Sequence, residues 1–172
     1  NIAEVEEGLF GYKFEKTDMG DLTQGVIKKY QRESLQRNIK IIADEAQAGV
    51  YFVSGDKNRL ETAITNYIDN SIKYSPNDGR IEVSLHQDKY TLWFSIKDNG
   101  VGVSPESVEA LFTKFFRDKR AKAVHTEGTG VGLFIVKNII EKHGGKVGYD
   151  PIKKGGSLFY FTLPVYKEKE VK

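Results

Sequence analysis

Residues 80–98 alternate with a period of two, and that pattern restricts the fold more than any other part of the chain. Ile81, Val83 and Leu85 alternate with Glu82, Ser84 and His86, and after a polar turn Leu92, Phe94 and Ile96 alternate with Trp93, Ser95 and Lys97. Successive strand side chains point to opposite faces, so the segment reads as a hairpin with one buried face. That face needs a cover, and segments of helical period supply it on either side. Residues 57–74 set Leu60, Ile64, Tyr67 and Ile68 on one face, and residues 130–143 carry Ile135, Val136, Ile139 and Ile140.

The remaining segments extend this scheme. Leu22, Val26, Ile27, Tyr30 and Leu35 give a first amphipathic helix over 21–38, and the β-rich runs 39–43 and 50–53 read as strands. Asp56 is a natural cap for the helix at 57–74, and Ser75-Pro76 followed by Asn77-Asp78-Gly79 stops it. Pro105 opens a short helix to Leu111, and the basic stretch 117–126, without apolar periodicity, is expected to be a mobile loop. Gly144 can take the left-handed position after the last helix, and strands around 146–149 and 157–163 close the domain. The order predicts an α+β fold: a two-layer α/β sandwich with a mixed, mostly antiparallel sheet covered on one face by about three helices.

With 172 residues, one domain is expected. No stretch approaches the roughly 20 apolar residues that cross a bilayer, and the absence of cysteine rules out disulfides and thiolate metal sites and fits a cytoplasmic setting. A formal charge of +2, with basic and acidic residues interleaved, does not describe a nucleic-acid surface.

Four groups of residues bear on chemistry. Asn66, Asn70 and Lys73 fall at i, i+4 and i+7, on a different helix face from the apolar residues. Carboxamide oxygens one turn apart suit a Mg²⁺ ion that keeps most of its water, with Lys73 near phosphate; the same triple also fits a solvated polar face. Asp98 lies on the same strand face as Leu92, Phe94 and Ile96, so a carboxylate is aimed toward the apolar side where Gly100 and Gly102 follow. An adenine amino group would satisfy it, and an ordinary strand-ending turn is the alternative. Gly128, Thr129, Gly130, Val131, Gly132 and Leu133 lead into a helix whose exposed N–H groups suit phosphate. Finally Phe112, Phe115 and Phe116 precede Arg117, Lys119, Arg120 and Lys122, which reads either as a pinned loop facing phosphate or as a small satellite core beside solvated cations.

In this order the segments 66–74, 98–102, 111–117 and 128–133 resemble the N, G1, F and G2 boxes of the ATP-binding catalytic domain of sensor histidine kinases. The resemblance covers about residues 21–165. It implies the ATP-binding sandwich shared with gyrase, heat-shock chaperone and mismatch-repair ATPases, with a mobile ATP lid, and it implies ATP and Mg²⁺. Asn66 and Asn70 would stand on the Mg²⁺ side, Lys73 at phosphate, and Tyr74 at the adenine wall. Asp98 would read the adenine amino group, with Gly100, Gly102 and Phe116 shaping the pocket. Arg117 or Arg120 would approach the γ-phosphate, and residues 128–133 would hold the phosphate chain. Lys114 departs from the family, which often has proline there, and implies a looser approach to the lid.

By the same resemblance, residues 1–20 are the end of a dimerisation helix and a linker, 21–166 the catalytic domain, and 167–172 a frayed tail. The implied partners are a dimerisation and phosphoacceptor domain and, indirectly, a response regulator; the parent would be a homodimer, membrane-anchored or not, and the fragment a monomer. Where hydrolysing relatives and serine kinases carry a glutamate, Asn66 cannot act as a base. A neutral imidazole needs none, so the residue agrees with a histidine acceptor. His86 on an outer strand face, His125 in the lid and His143 at a helix end are not placed as acceptors, so no autophosphorylation of the chain alone is expected. A nucleotide-controlled docking module with little catalysis is the alternative reading, and a hydrolase or serine kinase is the third.

Overall fold

The computed structural model describes residues 11–44 and 46–168, so the expected helix end at 2–8 and the tail at 169–172 lie outside the described residues. The hairpin forms as its alternation predicts. β4 (Arg80–Gln87) and β5 (Thr91–Asp98) pair antiparallel in a five-stranded sheet with β2 (Lys40–Asp44), β6 (Lys146–Pro151) and β7 (Ser157–Pro164), in the order β2-β4-β5-β7-β6. β2 runs parallel to β4, and every other pairing is antiparallel. β3 (Phe52–Gly55) leaves this sheet and pairs with β1 (Glu15–Asp18). β1 is absent from the sequence reading because Glu-Lys-Thr-Asp has no apolar alternation, and backbone pairing with β3 makes it a strand.

Helix α1 (Met19–Gln36) starts two residues earlier than expected, since the Asp18 side chain accepts the N–H groups of Gly20 and Asp21. It ends before Asn38, whose φ of +50° is not helical. α2 (Lys57–Tyr74) has the expected bounds, capped by Asp56. Pro105–Ala110 is a 3₁₀ turn. The expected loop at 117–126 contains a short helix, α3 (Lys119–Val124), where the Asp118 side chain caps a segment too polar to show a buried stripe. The last helix, α4 (Gly132–Lys142), begins at Gly132 rather than Gly130, because Gly130 has φ +68°. Gly144 takes the left-handed position after it, with φ +76°.

α2 lies between α1 and α4 and packs against both. The apolar hairpin residues are fully buried beneath this layer. Phe94 and Phe161 face each other across β5 and β7 with parallel rings 4.8 Å apart. Tyr67 of α2 sits on them with its ring 6.3 Å from Phe94 and 5.9 Å from Phe161, and its hydroxyl donates to the Tyr160 carbonyl at 3.1 Å. Buried to the centre of the sheet, Tyr67 fixes the rotation of α2 and so decides which face of that helix the cleft receives.

Candidate nucleotide site

A cleft of about 210 Å³ opens between the C-terminal half of α2, the end of β5, the segment around α3 and the start of α4. With Tyr67 and Ile68 held in the core, Asn66, Asn70 and Lys73 turn toward the cleft. The Asn66 amide donates back to the Thr62 carbonyl at 2.9 Å. Its oxygen then faces Gly132, where an added Cβ would lie only 2.8 Å away. Lys73 forms an ion pair with Asp69 at 2.7 Å, and the Tyr30 hydroxyl stands 3.5 Å from the other Asp69 oxygen. Asp69 also lines the cleft and is absent from the sequence reading; its i,i+4 spacing from Lys73 was the available signal.

Asp98 is only 5% exposed. One carboxylate oxygen accepts the Gly100 N–H at 2.9 Å, and the other accepts the Ser71 hydroxyl at 3.1 Å. Burial pushes its carboxyl above the ordinary carboxylate range, against the downward pull of Gly100, Ser71 and the Ser157 N–H. Gly102, Tyr74 and Phe116 line the walls beside it, and Leu111 and Phe159 add apolar surface. Gly100 acts from behind the wall: a Cβ there would lie 2.5 Å from the Tyr74 carbonyl oxygen, so its absence lets the end of β5 rest on the end of α2.

The residues from Gly128 to Leu133 all line the cleft. No side chain caps α4, so its first N–H groups are directed there unclaimed by a cap. Phe115, at φ +67°, donates its N–H to the Gly130 carbonyl at 2.9 Å, which closes the base of the α3 segment. Lys114 lies with its ammonium 5.2 Å from the Phe115 ring.

The two arginines are turned to protein. Arg117 lines the cleft but donates to the carbonyls of His125 and Thr126, the second at 2.9 Å. Arg120 does not line it; its guanidinium lies 3.4 Å from the Val103 carbonyl. Asp118 is 4% exposed and accepts the N–H groups of Ser104 at 3.1 Å and Arg120 at 2.8 Å, which seats α3 on the loop after β5. Burial raises the Asp118 pKa, but hydrogen bonds from Ser107, Arg120 and Ser104 outweigh it and hold the carboxyl below its usual value. His125 lines the cleft with its ring 6.4 Å from Tyr74, a placement that the sequence did not signal.

The cleft thus joins an apolar pocket with one buried acceptor to a polar end bearing a helix N-terminus, an ammonium and two carboxamides. That combination suits a flat ligand with an N–H donor at one end and phosphates at the other. Among the described residues no three His, Cys, Asp or Glu side chains converge as a metal site. Carboxamide oxygens, few in number, fit a Mg²⁺ ion completed by water and phosphate.

Known proteins share this architecture. Residues 55–167 match the family described as histidine kinase-, DNA gyrase B- and HSP90-like ATPase. The adaptive-response sensory kinase SasA of Synechocystis sp. is 37% identical over 150 residues, which are 87% of this chain and 38% of SasA. The sensor histidine kinase WalK of Bacillus subtilis is 35% identical over 121 residues, 69% of this chain and 20% of WalK. The chain therefore spans well under half the length of these curated relatives. Among solved structures, the mycobacterial sensor histidine kinase MprB superposes with a TM-score of 0.80 at 30% identity, covering 90% of this chain and all of that one.

Proposed function

Since the chain belongs to the histidine kinase-, DNA gyrase B- and HSP90-like ATPases, and among them to the ATP-binding catalytic domains of sensor histidine kinases, we propose that it binds Mg-ATP and transfers the γ-phosphoryl group to a histidine on a separate dimerisation and phosphoacceptor domain. The observation that carries this reading is Asp98, a buried carboxylate that lines the cleft among apolar residues.

Asp98 accepts from the adenine amino group, and Gly102, Tyr74 and Phe116 close on the base. The uncapped start of α4, with residues 128–133, holds the phosphates. Asn66 and Asn70 hold Mg²⁺ through carboxamide oxygens, and the ion supplies charge neutralisation to the transferring group. Lys73, steadied by Asp69, adds its positive charge beside it. The acceptor imidazole attacks the γ-phosphorus in its neutral form, the bond to the β-phosphate oxygen breaks, and ADP leaves. Asn66 takes no proton in this step, and the imidazole N–H proton passes to solvent. Arg117 and Arg120 reach the phosphates when the α3 segment releases the carbonyls that they hold.

On this reading the parent is a cytoplasmic-facing homodimer in a two-component system whose phosphohistidine then serves a response regulator. Among the described residues no helix is long and apolar enough to cross a membrane. Calorimetric titration with a non-hydrolysable ATP analogue and Mg²⁺ is the test of binding, with Asp98→Asn as the discriminating variant. Adding a dimerisation domain tests transfer by the appearance of acid-labile phosphohistidine on it. Acid-labile phosphate on the isolated chain, or steady ATP hydrolysis without an acceptor, would contradict the proposal.

A further inference from the structure

Outside the cleft, a second set of polar and aromatic contacts gathers at the N-terminal end of α2. Asp56 is 8% exposed and accepts the Arg59 N–H at 3.1 Å as the helix cap. Its second oxygen accepts the Lys13 N–H at 2.9 Å, from a segment 43 residues away in sequence. The Asp56 N–H itself donates to His143 Nε2 at 2.9 Å, and His143 Nδ1 lies 2.7 Å from the Ile139 carbonyl in α4. Because Nε2 accepts, the ring proton resides on Nδ1 and is donated to Ile139.

The segment 12–14 closes over this imidazole. Tyr12 meets it edge-on at 5.5 Å and Phe14 lies tilted against it at 5.0 Å. The Arg59 guanidinium stands 5.6 Å over the Tyr12 ring. The site is also built in its backbone: a Cβ on Gly55 would lie 2.5 Å from Leu60 and 3.0 Å from His143. One joint thereby holds the N-terminus of α2, the C-terminus of α4 and the segment leading into β1.

α2 and α4 each carry one wall of the nucleotide cleft, and Asn66 lies ten residues, about 15 Å, along α2 from Asp56. Changing the angle between the two helices at this joint changes the gap between Asn66 and Gly132, already too small to admit a methyl group. We propose that Asp56 and His143 are positioning residues for the nucleotide site, and that seating of segment 12–14 on them sets the α2–α4 separation and through it nucleotide affinity. This rests on the nucleotide reading above.

The joint has two states. A protonated ring cannot accept the Asp56 N–H, which would leave that donor buried without a partner. Burial keeps the His143 pKa below its ordinary value, against the opposing influence of the Ile139 carbonyl and the Asp56 charge. Among the described residues the charged or titratable groups around the ring are Asp56, Tyr12 and Arg59 on one side and Lys142, Tyr166, Lys167 and Glu168 on the other.

Coupling of this kind is reciprocal. In the full chain, the His143 ring followed by NMR through a pH titration should show a lower midpoint when Mg²⁺ and a non-hydrolysable ATP analogue saturate the cleft. Lys13→Pro, which removes the N–H that meets Asp56, should weaken analogue binding by about three- to tenfold and raise the His143 midpoint. Lys13→Ala keeps that N–H and should bind like the wild type. A His143 midpoint indifferent to nucleotide, or wild-type affinity in Lys13→Pro, overturns the proposal while leaving the function reading intact. A wild-type chain that binds no nucleotide overturns both. Should Lys13→Pro fail to fold, the midpoint shift in the unaltered chain decides alone.

Discussion

The Ser71 hydroxyl donates to the buried Asp98 carboxylate at 3.1 Å, tying the end of β5 to the helix that supplies the cleft's polar wall. Ser71 lies between Asn70, which faces the cleft, and Ile72, which is wholly buried. The bond therefore fixes the adenine-reading group and the phosphate-side residues in one frame.

Asp98→Asn tests the most specific residue of that frame. The variant places a donor where the pocket presents an acceptor, and loss of a charge-assisted bond of about 1.5–3 kcal/mol predicts at least tenfold weaker analogue binding by calorimetry. Stability should hold. Burial raises the pKa of Asp98, so folding penalises the charged carboxylate relative to the unfolded chain, and the carboxyl's contribution to stability is present at low pH and lost as pH rises through the native value. At neutral pH an uncharged replacement accordingly lowers the melting temperature little or raises it.

Gly132→Ala separates binding from folding in another way. Alanine is the better helix former, by less than the roughly 1 kcal/mol of a helix interior at this first helical position, yet its methyl would lie 2.8 Å from the Asn66 carboxamide oxygen. Thermal melts should show little change in stability, while affinity for the Mg²⁺ complex of the analogue drops roughly tenfold as Asn66 is displaced.

At Gly130 the backbone, rather than a side chain, is the obstacle. Its φ is +68°, and a Cβ would lie 2.8 Å from the Phe115 carbonyl carbon and 2.9 Å from the Phe116 oxygen. Gly130→Ala should cost about 1–2 kcal/mol of local strain and open the segment 117–126, seen as faster limited proteolysis there. Unchanged cleavage would show that the Phe115–Gly130 contact does not hold this segment.

Arg37 stabilises the end of α2 from outside. Its guanidinium donates to the carbonyls of Ile72 and Ser75, and to Asn77 at 3.1 Å. Arg37→Ala leaves terminal carbonyls of α2 without these donors and should destabilise the domain by about 2 kcal/mol in urea unfolding. Arg37→Lys should restore only part of this, because an ammonium lacks the fork that spans several acceptors.

His143 sets a pH window. Its ring is held neutral, with a pKa below the ordinary 6.5. The unfolded chain takes up the proton first on acidification, so the ring's contribution to stability is full above pH 6.5 and is lost as pH falls through the native value. The stability difference between the wild type and His143→Gln should therefore be largest near pH 8 and shrink toward pH 5, measured by urea unfolding across that range.

Much of the fold was legible because local chemistry and tertiary structure agree there. The bounds of α2 follow from Asp56 and Ser75-Pro76, and the β4–β5 hairpin from strict alternation. β1 was illegible because only Thr17 of its four residues is buried, and α3 because none of its six residues is. The cleft residues on α2, β5 and the glycine run were read from spacing and order, and the structure brings them together. Asp69 was not singled out within the segment 66–74, and His125 was placed in the lid without a site role. The sequence placed His143 only at a helix end; the Asp56 N–H on Nε2, which holds its ring neutral, was not legible.

The sequence by itself determined the periods, the stops and the inward aim of Asp98, since these depend on neighbours along one element. Only the tertiary structure decided where the cations go. Arg117 grips carbonyls, Arg120 turns away from the cleft and Lys73 pairs with Asp69, because long flexible side chains take whichever acceptor packing brings within reach. The same holds for the joint at Asp56, where residues 13, 56 and 143 meet through backbone N–H groups that have no signature in the order of side chains.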